Sequence, residues 1–252
     1  MPEEIRIPVP TVEMSWSDKF VGILSSPGEV YQSIVGTEPK TSNWAMPLVV
    51  TIIVGLIFTF TVFSQPAIQD EMSQTQYKAM EKRVADGKMT QEQMNQAVEN
   101  NPGKPGSPMF MIFGAIMVVV VISFSLFAYS SVYFLVGKMA FHSPVSYAKI
   151  LEVNGLSFFV TSVVSLLSII IVIAMGSLYA SVSPTLFIEN FDPMNKEHKL
   201  MAAFNILEFW NMFVVAVGLS KVWNTSMGKA VGVVGGVWAV WTLVKVFVDF
   251  GF

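Results

Sequence analysis

Asn205, Glu208 and Asn211 follow one another at three-residue steps inside an otherwise apolar stretch. On a helix that spacing places them on roughly one face. An acidic side chain at the centre of a membrane helix costs about 2.5–3.5 kcal/mol, and less near the interface. Such a carboxylate must face protein or water and find a partner. The three residues are therefore a candidate intramembrane polar site, suited to holding a cation or relaying protons. A second reading keeps Glu208 structural, hydrated or paired near the outer end of its span, roughly 10 Å away at 1.5 Å per residue. Ser64, Gln65 and Ser177 are the hydroxyl and amide partners expected for it.

Few other residues could do chemistry. The chain has no Cys, so no thiol nucleophile and no disulfide exist. Its histidines, His142 and His198, fall in separate loops, neither with a second ligand at metal spacing. GxxxxGK[ST], HExxH and GxSxG are missing. An intramembrane carboxylate pair would need a second acid at membrane depth, and only Glu208 qualifies. No enzyme activity, metal or cofactor is expected. Gly228, Gly232 and Gly236 form a ridge of small residues that would let another helix approach closely. That ridge suits packing inside one bundle or a subunit interface, including one between copies of the chain. Asn154 reads as a helix-end hydrogen bonder, and Trp210 and Trp223 as interfacial belt residues.

The elements that position these residues follow from composition. Charged residues make up 13% of the 252, about half the share usual in soluble domains, and the mean hydropathy is +0.57. The solvent is lipid. A net charge of −3 leaves no electrostatic footprint for nucleic acid. Five stretches suit a hydrocarbon core, which takes about 20 residues per helix: 44–65, 109–136, 153–179, 201–220 and 230–248. The expected fold is an all-α integral membrane protein, a five-helix bundle (44–252) preceded by a tail over 1–43. A re-entrant break around Gly176-Ser177 is the alternative for the long third stretch. The opening MPEEIRIPVP lacks the basic start and apolar core of a secretory signal.

Two polar regions flank the first span. Phe20, Ile23, Leu24, Pro27, Val30, Tyr31 and Ile34 recur at helical steps, and Ser26-Pro27-Gly28-Glu29 reads as a fresh helix start closed by Gly36. Residues 16–35 are thus two short amphipathic helices whose apolar side rests in the headgroup region or against the bundle. Residues 66–108 read as a helical hairpin outside the lipid, broken at Asp86-Gly87 and restarted by a capping box from Thr90 to Gln93. The hairpin is too small to hold a core without docking. A disordered Gln-rich loop is its alternative. The short connections 137–150 and 221–229 carry two Lys each and no acid, which leans toward a cytoplasmic N-terminus and an outer C-terminus.

FVGILSSPGEVYQSI, WAMPL, SYAKILEVNGLS and FWNMFVVAVGLSKVWNTSMGKA together resemble the bacterial branch of the Yip-domain family, from about residue 20 to the end. The resemblance implies five spans, a cytoplasmic N-terminus and, for a bacterial member, the inner membrane. Eukaryotic members interact with Rab-type GTPases in vesicle traffic, while some bacterial members look like accessory components of ABC exporters of the macrolide-efflux type. Three readings follow: a non-enzymatic scaffold or accessory subunit of an ABC-type exporter, a small-solute or ion pathway using Glu208, or a membrane-shaping protein acting through its N-terminus.

Overall fold

The computed structural model describes residues 14–248, and every regular element among them is helical. The readings of residues 1–10 as carrying no secretory signal and of the C-terminus as outside fall on residues beyond these. The helices run α1 Trp16–Ser25, α2 Pro27–Ile34, α3 Ser42–Val62, α4 Pro66–Ala85, α5 Gln91–Glu99, α6 Pro108–Phe141, α7 Tyr147–Met175, α8 Lys196–Ala203, α9 Ile206–Val222 and α10 Met227–Phe247. A 3-10 turn, Pro184–Phe187, lies between α7 and α8.

Four of these, α3, α6, α7 and α10, are long and apolar enough to cross a membrane, with mean hydropathies of 2.4, 2.7, 2.7 and 1.8. The stretch expected to span at 201–220 is not one helix. α8 and α9 meet at a 50° bend, and α9 alone, with 17 residues, reaches about 26 Å against a core of about 30 Å. The bend has a local cause. Phe204 leaves helical geometry, Asn205 takes the N-cap position with its side chain accepting from Leu207 N, and Ile206 N donates to Val182 O at 3.0 Å. No such break occurs at Gly176-Ser177. There α7 simply ends, with Gly176 at φ 63° closing it in the left-handed region.

Other boundaries move too. α6 continues past residue 136 to Phe141, 34 residues or about 51 Å. α7 starts at Tyr147, not at 153, because Ser146 accepts from Lys149 N and caps it there. That earlier start brings Lys149 and Glu152 inside the helix.

α7 is the hub of the bundle. It packs along α3, α6, α9 and α1, while α10 flanks α9. Residues 149–160 of α7 are buried on every face. One end of the bundle, the near end, carries α1, α2 and the connections after α6 and α9. The far end carries the α4–α5 hairpin and the 176–205 connection.

α1 starts with a capping box between Ser15 and Asp18. Pro27 opens α2 as expected, but Ser26 makes no side-chain cap bond. The apolar side turns onto the bundle: Ile23, Val30, Tyr31 and Ile34 are buried, with Phe20 and Leu24 packed beside them. Gly22 allows the fold-back, since a Cβ there would stand 2.6 Å from Val30 Cγ2. At the far end, Asp86 ends α4 and the Thr90–Gln93 capping box opens α5. Only the root of the hairpin docks on the bundle, with Ile68 buried against Val62, Ile169 and Val172.

Candidate functional site

The most concentrated chemistry lies at the near end. Glu152 is fully buried, and its carboxylate accepts from Lys149 Nζ, from Asn43 Nδ2 and from the Lys40 backbone N at 3.3 Å. Asn43 Oδ1 in turn accepts from Lys19 Nζ at 2.8 Å. Lys149 Nζ also donates to Ile34 O at 2.9 Å. Lys19, Asn43 and Lys149 are themselves buried, and Lys19 stands 5.2 Å from the centre of the Trp16 ring.

Four separate helices contribute to the network. Lys19 is on α1, Asn43 opens α3, Ile34 ends α2, and Lys149 and Glu152 sit one turn apart in the first turns of α7. The Asn43 amide must point its nitrogen at the carboxylate and its oxygen at the ammonium, so it relays between two charges of opposite sign. Taking one partner out of a buried ion pair strands the other at a cost of about 3–5 kcal/mol. A carboxylate so enclosed meets no substrate. Its chemistry is to hold the α1–α2 pair and the start of α3 against α7.

Further along α7, polar side chains bind neighbouring helices. Asn154 Nδ2 donates to Leu126 O at 3.2 Å and Ser130 Oγ at 3.1 Å on α6. It is an interhelical clasp, not the helix-end group expected from its position. Thr51 of α3 lies 2.9 Å from Ser162 Oγ and donates to Phe158 O at 3.0 Å.

The triad Asn205, Glu208 and Asn211 does not form one face. Asn205 is the cap before α9, its Oδ1 accepting from Leu207 N at 3.0 Å. Glu208 occupies the first turn of α9 and stays exposed, with Lys245 of α10 near enough to act on its charge. No hydrogen bond from a described residue reaches its carboxylate, so the inward orientation expected for it is not adopted. Its expected partners are engaged elsewhere: Ser64 and Gln65 donate to Thr61 O, and Ser177 to Glu71. Asn211 alone turns to the bundle, donating to Thr161 Oγ1 of α7 at 3.2 Å while its Oδ1 is buried without a partner among the described residues.

The glycine ridge faces away from the bundle. A Cβ built on Gly228, Gly232, Gly235 or Gly236 would meet no atom of the described residues within 4 Å. Among the described residues, then, no neighbour packs onto the ridge inside the bundle. The close approaches belong to other glycines. A Cβ on Gly137 would stand 2.5 Å from Trp223 Nε1, and one on Gly218 2.6 Å from Val153 and 2.8 Å from Tyr31. Trp223 is accordingly buried and stacked on Phe141 at 5.1 Å, and Trp210 packs against the core, so neither is a free belt residue.

Glu152, Lys149, Lys19 and Asn43 escaped the sequence reading. The signal was present in SYAKILEVNG, where Ser at the cap, Lys three later and Glu three after that mark a helix start with a charged pair. Beginning the span at 153 left that pair outside it.

Among the described residues, no group of three or more His, Asp or Glu is placed to hold a metal ion. A family model described as the Yip1 domain matches residues 21–248. No curated protein and no solved structure matches the chain.

Proposed function

This chain belongs to the Yip1 domain family, and we propose that it is a non-enzymatic integral membrane subunit that docks on another membrane protein through α10. The supporting observation is the uncovered row Gly228, Gly232, Gly235 and Gly236. Glycine in a helix interior costs up to about 1 kcal/mol relative to Ala and gives lipid nothing to pack against. In membranes, small residues at four-residue steps are the means by which a second helix comes into backbone contact. The far-end hairpin, anchored only at its root, offers a second contact outside the lipid. An ABC-type exporter is the first partner class to test, on family resemblance alone.

In this reading the near end faces the cytoplasm of a bacterial inner membrane, in keeping with its Lys-bearing short connections. Because the chain has no Cys, exposed Ser17→Cys and Ser73→Cys should label from opposite sides. The membrane-shaping reading loses its means, since the apolar side of α1 and α2 is spent on the bundle.

The test is a photocrosslinker at Val231, exposed beside the ridge, in cells expressing the full chain. A discrete product with a different membrane protein, lost in a Gly232→Leu/Gly236→Leu variant that folds normally, is the expected result. A product containing two copies of this chain assigns the ridge to self-association and sinks the accessory-subunit reading. Lipid adducts alone would do the same.

A further inference from the structure

A cavity of about 470 Å³ opens at the far end between α4 and the connection after α7, within the size range of small-ligand sites. One wall is a single face of α4, bearing Glu71 and, seven residues on, Lys78. The other wall is built by Tyr179, Phe191 and Asp192. The cavity is independent of the α10 ridge and of the docking reading above.

Its walls are held in place. Ser177 Oγ and Leu178 N each donate to a separate oxygen of Glu71, both at 2.6 Å, which fixes the connection to α4. Tyr179 stacks on Phe191 at 4.9 Å, and Phe191 on His198 at 5.5 Å. His198 Nδ1 accepts from Asp192 N at 2.9 Å, tying the end of that stack to the backbone beside it. Asp192 Oδ1 accepts from Met194 N, leaving its other oxygen unbonded by described residues. Lys78 forms no ion pair with a described residue.

One carboxylate with a free oxygen, Asp192, and two aromatic rings on one wall, with the Lys78 ammonium on the other, make an unusual pairing for a surface cleft. An organic ammonium is drawn both to carboxylate and to aromatic faces. A lysine ammonium without an internal partner is a point-charge site for phosphate. Burial raises the proton affinity of the Tyr179 phenol above its ordinary value; a hydrogen bond with Thr75 opposes it, and Glu71 and Asp192 add smaller increments. Met175, the last residue of α7, lines the same space and sets it at the end of a membrane-crossing helix.

From Asp192 and the stacked rings facing Lys78 across the cleft, the geometry points to a binding site for a zwitterion that joins an ammonium to a phosphate. The ammonium takes the Asp192, Tyr179 and Phe191 side, and the phosphate takes Lys78. That chemistry is carried by the headgroup of phosphatidylethanolamine and by free O-phosphoethanolamine.

The experiment uses the full chain in detergent, stripped of lipid and titrated with phosphatidylethanolamine or with phosphatidylglycerol of the same acyl chains, with bound lipid read by native mass spectrometry. Calorimetry with O-phosphoethanolamine, ethanolamine and inorganic phosphate forms the second arm. Preferential retention of phosphatidylethanolamine, lowered about tenfold by Lys78→Gln and by Asp192→Asn, is the expected result and makes the bilayer the source. Binding of O-phosphoethanolamine with the same sensitivity, and no lipid retention, supports the site with a soluble source. Both substitutions are mild: Lys78 is exposed, and the Asn amide oxygen still accepts from Met194 N. Thermal midpoints matching the parent verify that the fold is intact. Equal retention of both lipids, ethanolamine or phosphate alone binding as well as the joined compound, or indifference to both substitutions overturns the proposal.

Discussion

Gly155 of α7 lies directly against the backbone of Trp44 on α3: a Cβ added to it would stand 2.3 Å from Trp44 Cβ and 2.4 Å from Trp44 Cα. Backbone cannot yield as a side-chain tip does, so α3 would have to move along its longest contact with the hub. Gly155→Ala should destabilise the protein by about 1–3 kcal/mol, read as a lower thermal midpoint in detergent. Gly232→Ala, which meets nothing, should leave the midpoint unchanged or raise it. Equal midpoints for the two variants would show that the α3–α7 crossing relaxes freely.

The Glu152 network predicts a specific failure. Glu152→Ala leaves the buried Lys149 ammonium without its carboxylate and should cost about 3–5 kcal/mol. It should also free α1 and α2, so that limited proteolysis cuts between residues 35 and 41. Lys149→Met combined with Glu152→Leu removes both charges and should cost less than Glu152→Ala alone. An uncut Glu152→Ala protein with the parent midpoint contradicts the stapling role.

Tyr31 gives the fold a dependence on high pH. Its phenol is fully buried and donates to Val153 O at 3.1 Å. Burial raises its proton affinity well above the ordinary value near 10. The folded chain therefore keeps a proton that the unfolded chain releases above pH 10. This contribution is complete below pH 10 and falls by about 1.4 kcal/mol per pH unit above it. Midpoints between pH 8 and 11 should drop more steeply in the parent than in Tyr31→Phe. At pH 7 that variant should lose only about 1 kcal/mol, the worth of one hydrogen bond.

Glu208 should prove dispensable for folding. It is exposed and bonded by no described residue, so Glu208→Gln should change stability by less than about 0.5 kcal/mol. Retained stability with lost activity of the partner complex would assign Glu208 a role in binding or proton transfer. A large fall in stability would instead reveal an inward partner for the carboxylate.

What the sequence determined alone is what a few neighbouring residues decide. Membrane class follows from composition. The capping box at Thr90–Gln93, the break at Asp86-Gly87, the Pro27 start and the left-handed Gly36 all depend on local backbone chemistry, and all four are present. Which face of each span meets protein was not legible, because in lipid the buried and exposed faces of a helix are both apolar and the amphipathic cue disappears. Gly228, Gly232 and Gly236 read the same whether they meet a neighbour or none, and only the path of α10 beside α9 leaves them uncovered. Asn205 carries the side chain of a helix face and of a helix cap alike. Tertiary structure made it a cap, because Val182 holds Ile206 at the bend. Glu152 looks in sequence like an exposed acid beside a lysine, and it becomes a buried anchor only because Lys19 and Asn43, more than a hundred residues earlier, are folded onto the same turn of α7.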